Sequence, residues 1–206
     1  MVLLVCGSGA CSSAGEPGSQ QSLPQLTADS SSQAAPTASI SPTAGDSSGS
    51  SAIVTAEELS RPDIEFTVTS VPEGLTPEEA EVVRDVAYVE EVTWNAGREM
   101  SGIEEVEPLL VGQQMENYTN YYRAMEAAGE HHSGSYSIDI TSVTVESDIG
   151  TATADFCSDM TNVSQLSADN QDGRPAEKKK RVMVSNEMAR TDSGWVVTDA
   201  KEVGPC

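Results

Sequence analysis

No lysine or arginine occurs before Arg61, and the 206 residues carry only 11 basic side chains against 33 acids. The resulting formal charge of −22 excludes docking by charge on nucleic-acid backbones or anionic lipid headgroups, both of which it repels, and leaves cationic partners favoured. Histidine is nearly absent. His131 and His132 stand side by side next to Glu130, and neighbours in sequence cannot both face one pocket from a regular element. With no third histidine a zinc site is not expected, and the pair reads as a solvated turn. G-x-S-x-G, a phosphate loop and a dinucleotide fingerprint are all missing, and no Ser or Cys has an evident base partner. We therefore assign no catalytic residue, no metal and no cofactor from the sequence.

Large apolar residues are scarce in the first third. Ser12 to about Ala56 is built of Ser, Thr, Ala, Gly, Pro and Gln, as in Ser30-Ser31-Ser32-Gln33 and Ser47-Ser48-Gly49-Ser50-Ser51. Such a segment cannot bury enough apolar surface to offset its ordering entropy, so 12–56 is expected to be a disordered linker. As a flexible coil of about 45 residues it would span roughly 40 Å. Residues 57–74 read as an extended lead-in, which leaves 75–206 for one folded domain.

Met1 to Cys11, MVLLVCGSGAC, runs from an apolar stretch into small residues and a cysteine. It resembles the end of a bacterial lipoprotein signal peptide, in which a cysteine after a small residue receives a diacylglyceryl group. Cys11, behind Gly9 and Ala10, fits that requirement, although Ser8 stands where an apolar residue is usual. Cys6 is the alternative, with Leu3 correctly placed but the bulky Val5 before it. A signal peptide also needs a basic start and a longer apolar run, so a start codon assigned too late is expected. The resemblance implies export and anchoring to the outer face of the cytoplasmic membrane, with membrane contact only through the lipid.

Helices come first in the domain. Thr76-Pro77-Glu78-Glu79 combines an N-cap oxygen, a proline suited to the first helical position and a capping-box glutamate. Val82, Val83, Val86, Tyr88 and Val89 continue an apolar stripe toward Trp94, with Gly97 as the expected end. A short helix at Ile103 to Val106 stops before Pro108. Met115, Tyr118, Tyr122 and Met125 mark a third helix, closed by Gly129. The period then changes to two: a strand from Ser135 to Val145 with a bulge near Ser142, then strands at Thr151–Cys157, Lys180–Arg190 and Trp195–Val203. This order predicts an α+β domain with N-terminal helices packed on a curved four-stranded antiparallel meander.

The capped helix, Gly129 and Gly134, Ala152 to Asp159, Gly194-Trp195-Val196-Val197 and the final Val203-Gly204-Pro205-Cys206 together resemble small exported lipoprotein domains of the nuclear-transport-factor-2-like fold, also called SnoaL-like or cystatin-like cone domains. The resemblance covers about Leu75 to Cys206. In enzymes of that fold a carboxylate or histidine inside the cone serves as acid or base. Here Asp139, Asp155, Glu187 and Asp199 lie on strands, each also fitting a solvent-facing place.

Cys157 and Cys206 end the second and fourth strands, which run the same way in a meander and finish at one edge. A disulfide between them is expected, with two buried free thiols as the alternative, and it would agree with export. Trp94, Tyr118, Tyr122, Phe156 and Trp195 are candidates to line a pocket between helix and sheet, or else pack the core. Lys178-Lys179-Lys180-Arg181 is the one basic cluster, read as a solvated strand start. The functional expectation is a non-catalytic binding or interaction module whose partner is an envelope protein or a small apolar ligand. The rivals are a SnoaL-like hydrolase or isomerase using a carboxylate in the cone, and a structural envelope component.

Overall fold

A computed structural model describes residues 53–206, so Cys6, Cys11 and most of the expected linker lie outside the described residues. Order is established before the expected boundary at Leu75. Val54 is buried, Thr55 caps a one-turn helix α1 (Ala56–Leu59), and Phe66–Ser70 forms strand β1. In β1 only Phe66 and Val68 face inward, at 0% and 3% exposure, which is too short an alternation to stand out in sequence.

Helix α2 (Pro77–Glu99) starts as its capping box dictates. Thr76 Oγ1 accepts from the Glu79 amide at 3.2 Å, and the Glu79 carboxylate accepts from the Thr76 amide at 2.8 Å. It does not stop at Gly97 but runs on to Glu99, where Met100 adopts the left-handed conformation. Gly97 is there for packing instead: a Cβ at this position would lie 2.5 Å from His132 Nδ1. Helix α3 (Ile103–Val106) and helix α4 (Gln113–Ala128) follow, the latter closed by Gly129 in the left-handed region as expected. The chain between α3 and α4 hydrogen-bonds to a sheet edge, Val111 N to Val197 O at 3.0 Å and Val197 N to Leu109 O at 2.9 Å.

The strands after α4 are β2 (His131–Gly134), β3 (Tyr136–Glu146), β4 (Thr151–Asp159), β5 (Val163–Leu166), β6 (Arg181–Thr191) and β7 (Gly194–Pro205). The main sheet has five strands in the order β1-β3-β4-β6-β7. It is mixed rather than a four-stranded antiparallel meander, because β1 runs parallel to β3 with Phe66 opposite Tyr136 and Val68 opposite Ile138. The helical block between β1 and β3 supplies the crossover that a parallel pair needs. The bulge on β3 falls between Ile140 and Ser142. A second sheet pairs β2 with β5. Gly134 permits that pairing, since any Cβ there would lie 2.0 Å from the Asn162 carbonyl oxygen. Helix α2 packs on one face of the main sheet, and Val82, Val83 and Val86 meet Phe66, Ile138, Phe156 and Trp195 in the core. Among the described residues no helix is long and apolar enough to cross a membrane.

Candidate functional site

Three polar side chains enter the apolar interface between helix and sheet. Glu90 and Thr93 lie on the inward face of α2, and Asn186 sits on β6 at the phase of Val182, Val184 and Met188; all three are buried. Two small cavities open around them. One, of about 40 Å³, lies between α2, α4 and the β6–β7 pair, with Val89, Leu110, Val184 and Val197 as apolar wall and Glu90, Thr93, Tyr118 and Asn186 as polar wall. The other, about 20 Å³, is bounded by Glu90, Trp94, His132, Tyr136, Met160 and Arg174.

In the first cavity the hydroxyl protons are committed. Thr93 Oγ1 donates to the Val89 carbonyl at 2.8 Å, and Tyr118 Oη donates to the Thr93 carbonyl at 3.1 Å. Burial raises the Tyr118 phenol far above its ordinary value, so it stays a neutral donor. At the rim Gln114 Nε2 donates to Asp199 at 3.0 Å. Asn186 differs from these groups: its Oδ1 is buried and has no hydrogen-bond partner among the described residues. A buried polar atom left in that state costs about 1–3 kcal/mol.

Between the two cavities, Tyr136 Oη donates to Glu90 Oε2 at 2.6 Å and Ser158 Oγ donates to Tyr136 Oη at 3.2 Å. Burial, followed by the neighbouring Glu90 charge, pushes the Tyr136 phenol well up. Beyond it the imidazole of His132 stacks on Trp94 with centroids 5.5 Å apart, and its Nε2 lies 2.7 Å from Tyr121 Oη. His132 is thus not in a solvated turn. It sits in β2 at 4% exposure, and burial, reinforced by the positive Arg174, lowers its pKa to about 3. The tautomer that leaves no buried N–H unpaired has Nε2–H donating to Tyr121, whose own proton reaches Gln165 Oε1 at 3.4 Å.

The aromatic candidates are not brought together. Tyr118 borders the first cavity and Trp94 the second; Phe156 and Trp195 are core residues at 1% and 2% exposure; Tyr122 borders an outer groove beside Ile103 and Arg123. None of the four strand carboxylates is in a cavity wall; Asp199 stands just outside the first, behind Gln114. Asp139 accepts from Ser70, Asp155 from Ser142, and Lys201 pairs with both Glu187 and Asp199. The basic cluster is largely neutralised in place, with Lys179 on Asp172, Lys180 on Glu202 and Arg181 on Asp159. Cys157 and Cys206 do meet, with Cα atoms 5.9 Å apart and sulfurs at bonding distance. Cys157 faces Met183 on one side of β6 while Pro205 faces Val182 on the other, so the link crosses the start of β6.

No family model and no curated protein matches the sequence. Among solved structures, the intermembrane-space region of the chloroplast protein ARC6 is similar at TM-score 0.49 and 15% identity, over 61% of this chain and 96% of that one. A proposed aromatic ring hydroxylase from Novosphingobium aromaticivorans is similar at TM-score 0.37 and 15% identity, over 59% of this chain and 88% of that one. Both likenesses are too distant to carry a functional argument.

Proposed function

We propose that the protein is an exported, lipid-tethered module that holds a small ligand between α2, α4 and the β6–β7 pair without transforming it. Cys11, or alternatively Cys6, carries the lipid, and the Ser/Thr/Ala/Gly/Pro segment spaces the domain from the membrane. The observation that carries the binding reading is Asn186, a buried amide oxygen in a cavity-wall residue with no partner among the described residues. A ligand or ordered water there offsets the desolvation cost. The committed protons of Thr93 and Tyr118 fit a wall that positions a ligand rather than one that transfers protons to it.

Screening a library of small polar and amphiphilic compounds against the full chain by amide chemical shifts tests this reading. A compound that moves Thr93, Asn186 and Val197 together, and is recovered unchanged, supports it. Anchoring is checked by mass spectrometry of the membrane fraction, where a diacylglyceryl peptide beginning at Cys11 or Cys6 is expected and an unprocessed soluble product refutes the tether.

A second reading, an isomerase or hydrolase of the cone kind, is favoured by one feature: Glu90 is an interior carboxylate with a phenol 2.6 Å away. Turnover of any bound compound, abolished in Glu90→Gln, would select this reading over the first.

A further inference from the structure

We infer that the peptide bond between Lys178 and Lys179 is a processing site for an endopeptidase with an anionic, lysine-selecting pocket, and that the cut protein persists as two chains joined by Cys157–Cys206. This is independent of what the cavities hold. It follows from where the fold puts the basic side chains. No lysine or arginine precedes Arg61, so all 11 fall among the described residues.

An endopeptidase binds its substrate as an extended strand, so a bond inside a helix or a paired strand is reached only after that element opens. Arg84 and Arg98 lie in α2 and Arg123 in α4. Arg181 and Arg190 lie in β6 and Lys201 in β7. Arg61 and Arg174 stand outside helices and strands, but each is followed by a proline, whose ring crowds the bond and whose nitrogen carries no N–H. Lys178, Lys179 and Lys180 remain, all in the connection between β5 and β6.

Among these three, the ion pairs decide. Lys179 is held by Asp172, and Lys180 by Glu202 at 2.5 Å. The Lys180 carbonyl also accepts from the Met160 amide at 3.1 Å. Lys178 is exposed, and its ammonium has no partner among the described residues, so it is the charge free to enter an anionic pocket. Its backbone closes a single 3-10 turn, Ala176–Lys178, with Lys178 N on Pro175 O at 2.9 Å and Lys179 N on Ala176 O at 3.0 Å. These bonds are local. The turn can open without disturbing either sheet, as exposed loop tips do.

Hydrolysis adds one water across the bond, its hydroxyl to the Lys178 carbonyl carbon and its proton to the Lys179 nitrogen. The disulfide takes no part in that step but spans the cut, since Cys157 precedes it and Cys206 follows it. Strands β6 and β7 therefore stay with the sheet through both the β4–β6 ladder and a covalent link. Cleavage releases nothing. It loosens the loop that carries Arg174, a wall residue of the second cavity.

The experiment treats the full, non-reduced chain briefly with trypsin, a lysine- and arginine-selecting peptidase, and compares the product with protein recovered from the cells that naturally make it. The expected first product is one water heavier than the starting chain and, once reduced, separates into a piece ending at Lys178 and a piece 179–206. Lys178→Gln should slow that first cut about tenfold or more, because the pocket then faces an uncharged side chain. Lys178→Arg should retain the cut, and Lys179→Gln should leave it after Lys178. Protein from its own cells should show the same two pieces on reduction. A first cut after any other basic residue overturns the site, and pieces that separate without a reductant overturn their retention. Protein recovered uncut from its own cells overturns the processing.

Discussion

The imidazole of His132 occupies the space that a side chain at position 97 would need, with Nδ1 2.5 Å from where a Cβ on Gly97 would stand. This contact fixes how closely β2 approaches α2. Gly97→Ala gains the helical preference of alanine, about 1 kcal/mol, and loses more by overpacking, typically 1–3 kcal/mol. A net destabilisation of up to about 2 kcal/mol in urea unfolding is expected. The double variant Gly97→Ala/His132→Ala should be non-additive, because the clash disappears with the ring.

Acid should destabilise the protein through the same ring. The folded pKa of His132, about 3, lies below the ordinary 6.5 because burial disfavours the charged form. The neutral ring is therefore compatible with the fold above pH 6.5. As pH falls from 6.5 toward 3 the unfolded chain takes up the proton and the folded one does not, so stability is lost at up to about 1.4 kcal/mol per pH unit. His132→Gln should flatten the unfolding free energy between pH 6.5 and 4.5. That window lies above the range of Asp159, where hydrogen bonds from Thr161 outweigh the upward push of burial, and of Asp172, held low first by Lys179; both lose their contributions only at lower pH. A slope unchanged by the substitution would count against a neutral buried His132.

Much of this architecture was legible because single residues carry strong local instructions. The capping box at Thr76, Gly129 and the phase change at Ser142 each fix a local backbone state without help from distant residues. β1 was not legible, for its two inward residues acquire meaning only beside Tyr136 and Ile138, some seventy positions later. β2 was hidden for a similar reason, being four polar or small residues whose partner is β5. The polar members of the site did leave a trace. Asn186 interrupts the inward series Val182, Val184, Met188, and Glu90 lies one turn beyond Val86. A polar side chain at a core phase was the available signal, while attention to outward carboxylates and large aromatics led away from it.

Because β1 belongs to the sheet, a protein beginning at Leu75 lacks an edge strand and two fully buried side chains. Phe66→Ala should cost about 3–5 kcal/mol, and the fragment 75–206 should lose cooperative thermal unfolding. Retention of the full melting temperature by that fragment would show that β1 is dispensable.

Reduction should weaken the domain as well. The cysteines are 49 positions apart, and closing such a loop contributes about 4 kcal/mol by the chain-entropy relation. The expected outcome is a lower urea midpoint for Cys157→Ser/Cys206→Ser, and a Cys157–Cys206 peptide pair in non-reducing maps of exported protein. Free thiols in that material would remove the bridge from the account.

The crossing of β6 by that bridge also has a mechanical side. Without it, tension applied at residue 206 would peel β7 from β6 one hydrogen-bond pair at a time, the weakest direction in which a sheet can be opened. With Cys206 tied to Cys157, the same tension is delivered to β4 in the middle of the sheet, flanked by β3 and β6. There the load is shared by the ladders to β3 and to β6, instead of resting on the one ladder that joins β7 to β6.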